Sequence, residues 1–134
     1  MATWFFLTLY LQDVRGLSPV QTGVAFLPLT AGIIGGSQIS FRTIGRFDAR
    51  LLALVGGLVA AAGLGGLGFL AADTSLAWVI GSAAVSMLGG GLMMAPVTVA
   101  ATSNIAADQG GLASGLLNTT RHIGGALGLA VLAT

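Results

Sequence analysis

The chain has no cysteine, no lysine and no glutamate, and His122 is its single histidine among 134 residues. Each absence removes a class of chemistry. Without thiols there is no disulfide framework and no thiolate metal site. One histidine cannot build a multi-histidine site. The only carboxylates are Asp13, Asp48, Asp73 and Asp108, far apart in the sequence, so no paired acid and base stands out. With no Ser, His and Asp grouped at usable depth either, the sequence points away from an enzyme. Charge of either sign is the scarcest commodity, at 7% of residues, where soluble domains carry about a quarter. Five scattered Arg and a net charge of +1 give no basic patch for nucleic acid and no polybasic run for a lipid surface.

What is present is apolar. Hydrophobic residues make up 55% of the chain, glycine contributes 22 residues, and the mean hydropathy is +0.97. Eight of the nine charges fall in short breaks between long uncharged runs. A helix needs about 20 apolar residues at 1.5 Å each to cross a bilayer core, and four runs qualify: residues 19–41, 51–71, a span within 74–107, and 110–134. One more run, 1–12, is too short to cross alone; in chain order it is the first of five. It lacks a basic n-region, and Asp13 and Arg15 follow its apolar part, so it reads as the tail of a crossing rather than a secretory signal. Strands compete poorly for these runs, which are too long and lack alternation. The expected fold is therefore an all-α, multi-pass integral membrane protein of the cell membrane, solvated by the lipid bilayer.

Several local signals punctuate these runs. Ser18, Pro19 and Gln21 read as N-cap, first helical residue and the glutamine of a capping box, and Thr74 or Ser75 as the cap of the fourth run. Pro28 and Pro96 lie inside the second and fourth runs, where each deletes a backbone hydrogen bond and bends the helix. Gly32 and Gly36, Gly111 and Gly115, and Gly124 and Gly128 are spaced four apart, as are Ala61 with Gly65 and Ala62 with Gly66. That spacing lets helix backbones approach closely.

Arg42, Arg46 and Arg50 against Asp48 make the break at 42–50 the cytoplasmic one under the positive-inside rule. Alternation then puts 13–18 and the Asp73 turn outside and 103–109 inside. The fifth span enters from the cytoplasm. It holds the ninth charge, Arg121, and at about 100° per residue Gly111, Ser114, Gly115, Asn118, Arg121, His122 and Gly125 share one sector. Leu112, Leu116, Leu117, Ile123, Leu127 and Val131 occupy the other. Arg at a helix centre costs about 2.5–3.5 kcal/mol, and each Leu, Ile or Val returns about 0.3–0.6 kcal/mol, so the span is marginal alone and depends on neighbours that shelter Arg121. Two roles fit this face. Ser114, Asn118, Arg121 and His122 line a substrate cavity or gate, or Arg121 and Asn118 bond backbone carbonyls of an adjacent helix. His122 is of the residue type that titrates near neutral pH, which suits coupling, and beside an Arg it suits hydrogen bonding as well.

Residues 9–28, LYLQDVRGLSPVQTGVAFLP, and 113–128, ASGLLNTTRHIGGALG, resemble the second half of fourteen-span drug:proton antiporters of the major facilitator superfamily. The resemblance implies a partial six-helix bundle: four full transmembrane helices and an N-terminal partial one, the first five of the C-terminal half, with the first incomplete and the sixth absent. It implies that Arg42, Arg46 and Arg50 fall on the basic positions of a Gly-Arg-x-x-Asp-Arg-x-Gly-x-Arg loop motif. Phe41 replaces its first Gly, Gly45 its acid and Asp48 its second Gly, so the motif's salt bridge has no acid here. It further implies proton-coupled efflux of small hydrophobic or amphipathic compounds by alternating access, with no cofactor beyond the proton gradient. The partner would be the N-terminal half, where family members usually place their key carboxylates. The alternative is a small, non-transporting membrane protein that acts by helix association.

Overall fold

Pro28 and Pro96 divide two of the four long runs into paired helices, and each break falls two or three residues before the proline. The computed structural model describes residues 2–69, 74–102 and 110–132, and every regular element among them is helical. Helix α1 (Ala2–Leu9) runs into a five-residue π-helical turn, Tyr10–Val14. Next come α2 (Pro19–Ala25) and α3 (Leu27–Thr43), then α4 (Ala49–Leu67). The rest are α5 (Leu76–Leu92), α6 (Met94–Thr102) and α7 (Gly110–Leu132). The expected outer turn at Asp73 and inner loop 103–109 with Asp108 lie outside the described residues.

The ends of the elements follow from local chemistry. The first run was expected to stop at Gln12, yet the helix continues through Asp13 and Val14 because its last turn widens. Arg15 N–H donates to the Tyr10 carbonyl at 3.1 Å, five residues back, the π pattern. Gly16 then takes a left-handed φ of 65°, and Leu17 N–H returns to the Leu11 carbonyl at 2.9 Å. This is a Schellman-like stop, lengthened by one residue because the turn it closes is π. Helix α2 starts at Pro19, as expected. At α4, Asp48 is the N-cap and its carboxylate accepts from Arg50 N–H at 2.9 Å. Of the two caps proposed for α5, Ser75 takes the role, its hydroxyl accepting from Trp78 N–H at 3.3 Å. The indole of Trp78 donates to the Gly66 carbonyl at 3.1 Å and so ties the start of α5 to the end of α4.

Three stretches are long and apolar enough to cross a membrane: Pro19–Thr43, Ala49–Leu67 and Leu76–Ala100. The fourth, α7, reaches span length with 23 residues, but its polar sector keeps its mean hydropathy below that of the other three. The protein is an all-α, multi-pass membrane protein and a partial helical bundle. Most of its large apolar side chains face outward, including Val20, Leu27, Leu54 and Leu58, each more than 60% exposed. That exposure suits lipid.

The chain divides into two compact units, one of Met1–Pro19 with Ala101–Thr134 and one of Val20–Ala100. In the second, α5 packs along both α3 and α4, whereas α3 and α4, though consecutive, hardly touch each other. The reason is the size of the residues on α5. Its buried positions are Val79, Ala83, Ser86, Gly89 and Gly91, small enough for backbones to meet on both sides. On one side, a Cβ at Gly32 would stand 2.6 Å from the Ala84 carbonyl oxygen; one at Gly36 would strike that of Leu88, and one at Gly91 that of Ile33. On the other, Gly56 and Gly63 of α4 meet Met93 and Ser86, while Gly89 meets Ala60.

The expected small pairs on α4 are displaced. Ala61, Ala62 and Gly65 are exposed, and the close line runs through Gly56, Ala60, Gly63 and Gly66. A glycine-rich helix carries several such spacings at once, and only the neighbour selects one. In the first unit α1 touches α7, and Leu11 is fully buried.

Candidate functional site

Helix α7 is uninterrupted for 23 residues because no proline falls within it and its glycines never come with a turn signal. Its large apolar residues form an exposed stripe: Leu112, Leu116, Ile123, Leu127 and Val131 are each more than half exposed. The opposite sector holds Ser114, Asn118, Arg121 and His122, also exposed, with the half-buried Gly125; Leu117, expected on the apolar side, is half-buried too, as are Gly128 and Leu129. The four polar side chains are thus all exposed, and the helix that α7 touches is α1.

The polar residues of α7 differ in how they are satisfied. Thr119 Oγ donates to the Gly115 carbonyl and Thr120 Oγ to that of Leu116, both at 2.9 Å. These hydroxyls are absorbed by their own helix. Among the described residues Ser114, Asn118, Arg121 and His122 carry no such side-chain bond, so they keep donors and acceptors for another group. The expected packing positions Gly111, Gly115, Gly124 and Gly128 have no described atom within 4 Å of where a Cβ would stand, in contrast to Gly32 and Gly36.

The basic loop lies in the other unit. Arg42 is in the last turn of α3, where a cation favours the helix dipole. The chain then turns back tightly: Arg46 N–H and Phe47 N–H both donate to the Thr43 carbonyl, at 2.8 and 3.0 Å. Arg42, Arg46 and Arg50 are all exposed. The lone carboxylate of the loop, Asp48, is engaged as the α4 cap. The structure thus spreads the three Arg over the end of α3, the connection and the start of α4, and sets Ser114, Asn118, Arg121 and His122 on one helix, α7.

Sequence reasoning missed one polar site. Ser40 is completely buried, and its hydroxyl donates to the Leu92 carbonyl at 2.6 Å. The signal was Pro96: lacking an N–H, it cannot satisfy the carbonyl four residues earlier, which is that of Leu92. An acceptor orphaned in a bundle core calls for a donor from elsewhere. Leu92 also lines an apolar groove of about 250 Å³ between α3 and α4, with Ile39, Thr43, Phe47, Leu51, Leu52 and Val55.

Comparison with known proteins agrees with these features. Residues 1–129 match the sequence profile of the Major Facilitator Superfamily. The chain is 44% identical to a tetracenomycin C resistance and export protein of Streptomyces glaucescens, over 96% of this chain and 24% of that protein. It is 42% identical to a puromycin resistance protein of Streptomyces alboniger, over 98% of this chain and 27% of that protein. With a cephamycin export protein of Amycolatopsis lactamdurans it shares 38% identity, again over 98% and 27%. The chain spans about a quarter of the length of these relatives. No solved structure matches it.

Proposed function

Because this chain belongs to the Major Facilitator Superfamily, we propose that it works as part of a secondary transporter that exports small hydrophobic or amphipathic compounds against a proton gradient. In this reading residues 1–134 belong to the C-terminal half of the transporter and supply one wall of its path. The relatives named for export of, or resistance to, cephamycin, tetracenomycin C and puromycin support the substrate class.

The observation that carries the proposal is the division of α7 into a lipid-suited stripe and a polar face holding Ser114, Asn118, Arg121 and His122. Charge within a span-length helix is costly and marks a path or relay by default. A guanidinium is a fixed charge with five donors, so Arg121 does not itself ferry protons. It draws acceptor groups of substrate, or a carboxylate of the other half, to the midplane where alternating access operates. The described aspartates, Asp13 and Asp48, lie at helix ends, and the proton carrier is assigned to the other half, with His122 the candidate among the described residues.

The test is efflux from loaded vesicles under an imposed proton gradient, using the protein as its native reading frame encodes it. Arg121→Ala should lower the initial rate at least about tenfold, as loss of an interaction worth about 1.4 kcal/mol in the transport cycle does, with membrane insertion intact. Unchanged efflux would remove Arg121 from the path.

A further inference from the structure

The groove between α3 and α4 is absent from the transport proposal, as are the three Arg beside it. Its volume of about 250 Å³ falls below the roughly 300–1,000 Å³ of sites for drug-sized molecules, so it does not suit the exported substrate. Its lining is apolar except for Thr43, whose hydroxyl is turned onto the Ile39 carbonyl at 2.7 Å. On its rim Phe47, Leu51 and Val55 are about half exposed. From Leu51 and Val55 the apolar surface continues along α4 to Leu58, which is 64% exposed. A groove of this form takes a hydrocarbon chain, with its open side continuing into the bilayer.

Each of the three charges is next in sequence to a residue that lines the groove. Arg42 precedes the lining residue Thr43, Arg46 precedes Phe47, and Arg50 precedes Leu51. These Arg form no polybasic run in the sequence, yet three Arg against one Asp leave the loop at a net +2. Asp48 already accepts the Arg50 backbone N–H, so it is not placed to neutralise all three. Guanidinium forks match phosphate oxygens bidentately. A single ligand that satisfies both halves of the site has a phosphodiester anion joined to an acyl chain.

We propose that this groove and its Arg rim bind an anionic phospholipid of the cytoplasmic leaflet, the headgroup on Arg42, Arg46 and Arg50 and one acyl chain against Phe47, Leu51, Val55 and Leu92. The site holds the 42–50 turn at the membrane surface and fills the wedge where α3 and α4 part. Because it concerns lipid binding rather than efflux, it stands or falls separately from the transport reading.

Electron spin resonance on the reconstituted protein tests this, with phosphatidylglycerol or phosphatidylcholine spin-labelled at the same acyl position. Phosphatidylglycerol should be enriched in the motionally restricted fraction. Arg46→Gln, which leaves two Arg to hold topology, should cut that preference about fivefold, the share of one basic residue near the surface, whereas Arg46→Lys should retain most of it. Val55→Phe, which fills the groove, should reduce the restricted fraction of both lipids. Circular dichroism of each variant confirms that its helices are intact. Equal restriction of the two lipids overturns the proposal, as does a preference unmoved by Arg46→Gln. If Val55→Phe changes nothing, the groove is closed by another part of the protein and the assignment fails. Displacement by millimolar inorganic phosphate at fixed ionic strength would show a site for the free anion, and would overturn the lipid assignment too.

Discussion

The hydroxyl of Ser40 donates to the carbonyl of Leu92 at 2.6 Å, joining α3 to the last residue of α5. This carbonyl loses its helical partner to Pro96, four residues on, and α5 gives way to α6 at Met93. Ser40, itself fully buried, thus supplies from a different helix the donor that proline removed.

Ser40→Ala should destabilise the bundle by about 1 kcal/mol, typical of interhelical hydrogen bonds in membranes, when unfolding is followed in mixed micelles by circular dichroism. Pro96→Ala restores an N–H that can reach the Leu92 carbonyl. In that background the cost of Ser40→Ala should shrink to near zero. Equal costs in both backgrounds would mean that the hydroxyl does not replace the missing N–H.

Neighbouring glycines on α5 offer a contrast that composition cannot explain. A Cβ at Gly89 would strike the Ala60 backbone of α4, whereas at Gly90 it meets nothing within 4 Å. Gly89→Ala should cost about 1–3 kcal/mol through overpacking, and Gly90→Ala should be neutral or stabilising, since alanine is the better helix former. Thermal unfolding of the two variants side by side decides it. Similar midpoints would contradict the backbone-on-backbone contact of α4 with α5.

At Gly16 the penalty is conformational alone. No described atom lies within 4 Å of where its Cβ would be, but φ is 65°, a region that costs an L-residue roughly 1–2 kcal/mol. Gly16→Ala should lose about that much stability, and Gly16→Asn distinctly less, because asparagine tolerates the left-handed region. Rapid amide exchange at Leu17, whose N–H closes the turn onto Leu11, should accompany the loss in Gly16→Ala. Equal stability of the alanine and asparagine variants would show that the stop does not depend on this backbone conformation.

The membrane class and the helical spans were legible in the chain because they depend on sums over many residues: few charges, long apolar runs, and breaks marked by Asp48, Ser75 and Pro19. The prolines likewise announced their breaks, since a missing N–H is a property of the residue itself. The amphipathic division of α7 was legible for the same reason, being fixed by helical periodicity. The π turn at Tyr10–Val14 was not, as it changes one hydrogen-bond register without altering composition.

What only the tertiary structure decided was which of many equivalent small residues meet. Gly36 and Gly35, or Gly63 and Gly65, are alike in sequence, and they differ because α5 lies against one and not the other. The same holds for Ser40, an ordinary polar residue until Leu92 is brought to it, and for the three Arg, which flank an apolar groove only because α3 and α4 separate over α5. Hydropathy and backbone chemistry act along the chain and are written in it; close packing acts between segments far apart, and becomes definite only when helices choose their neighbours.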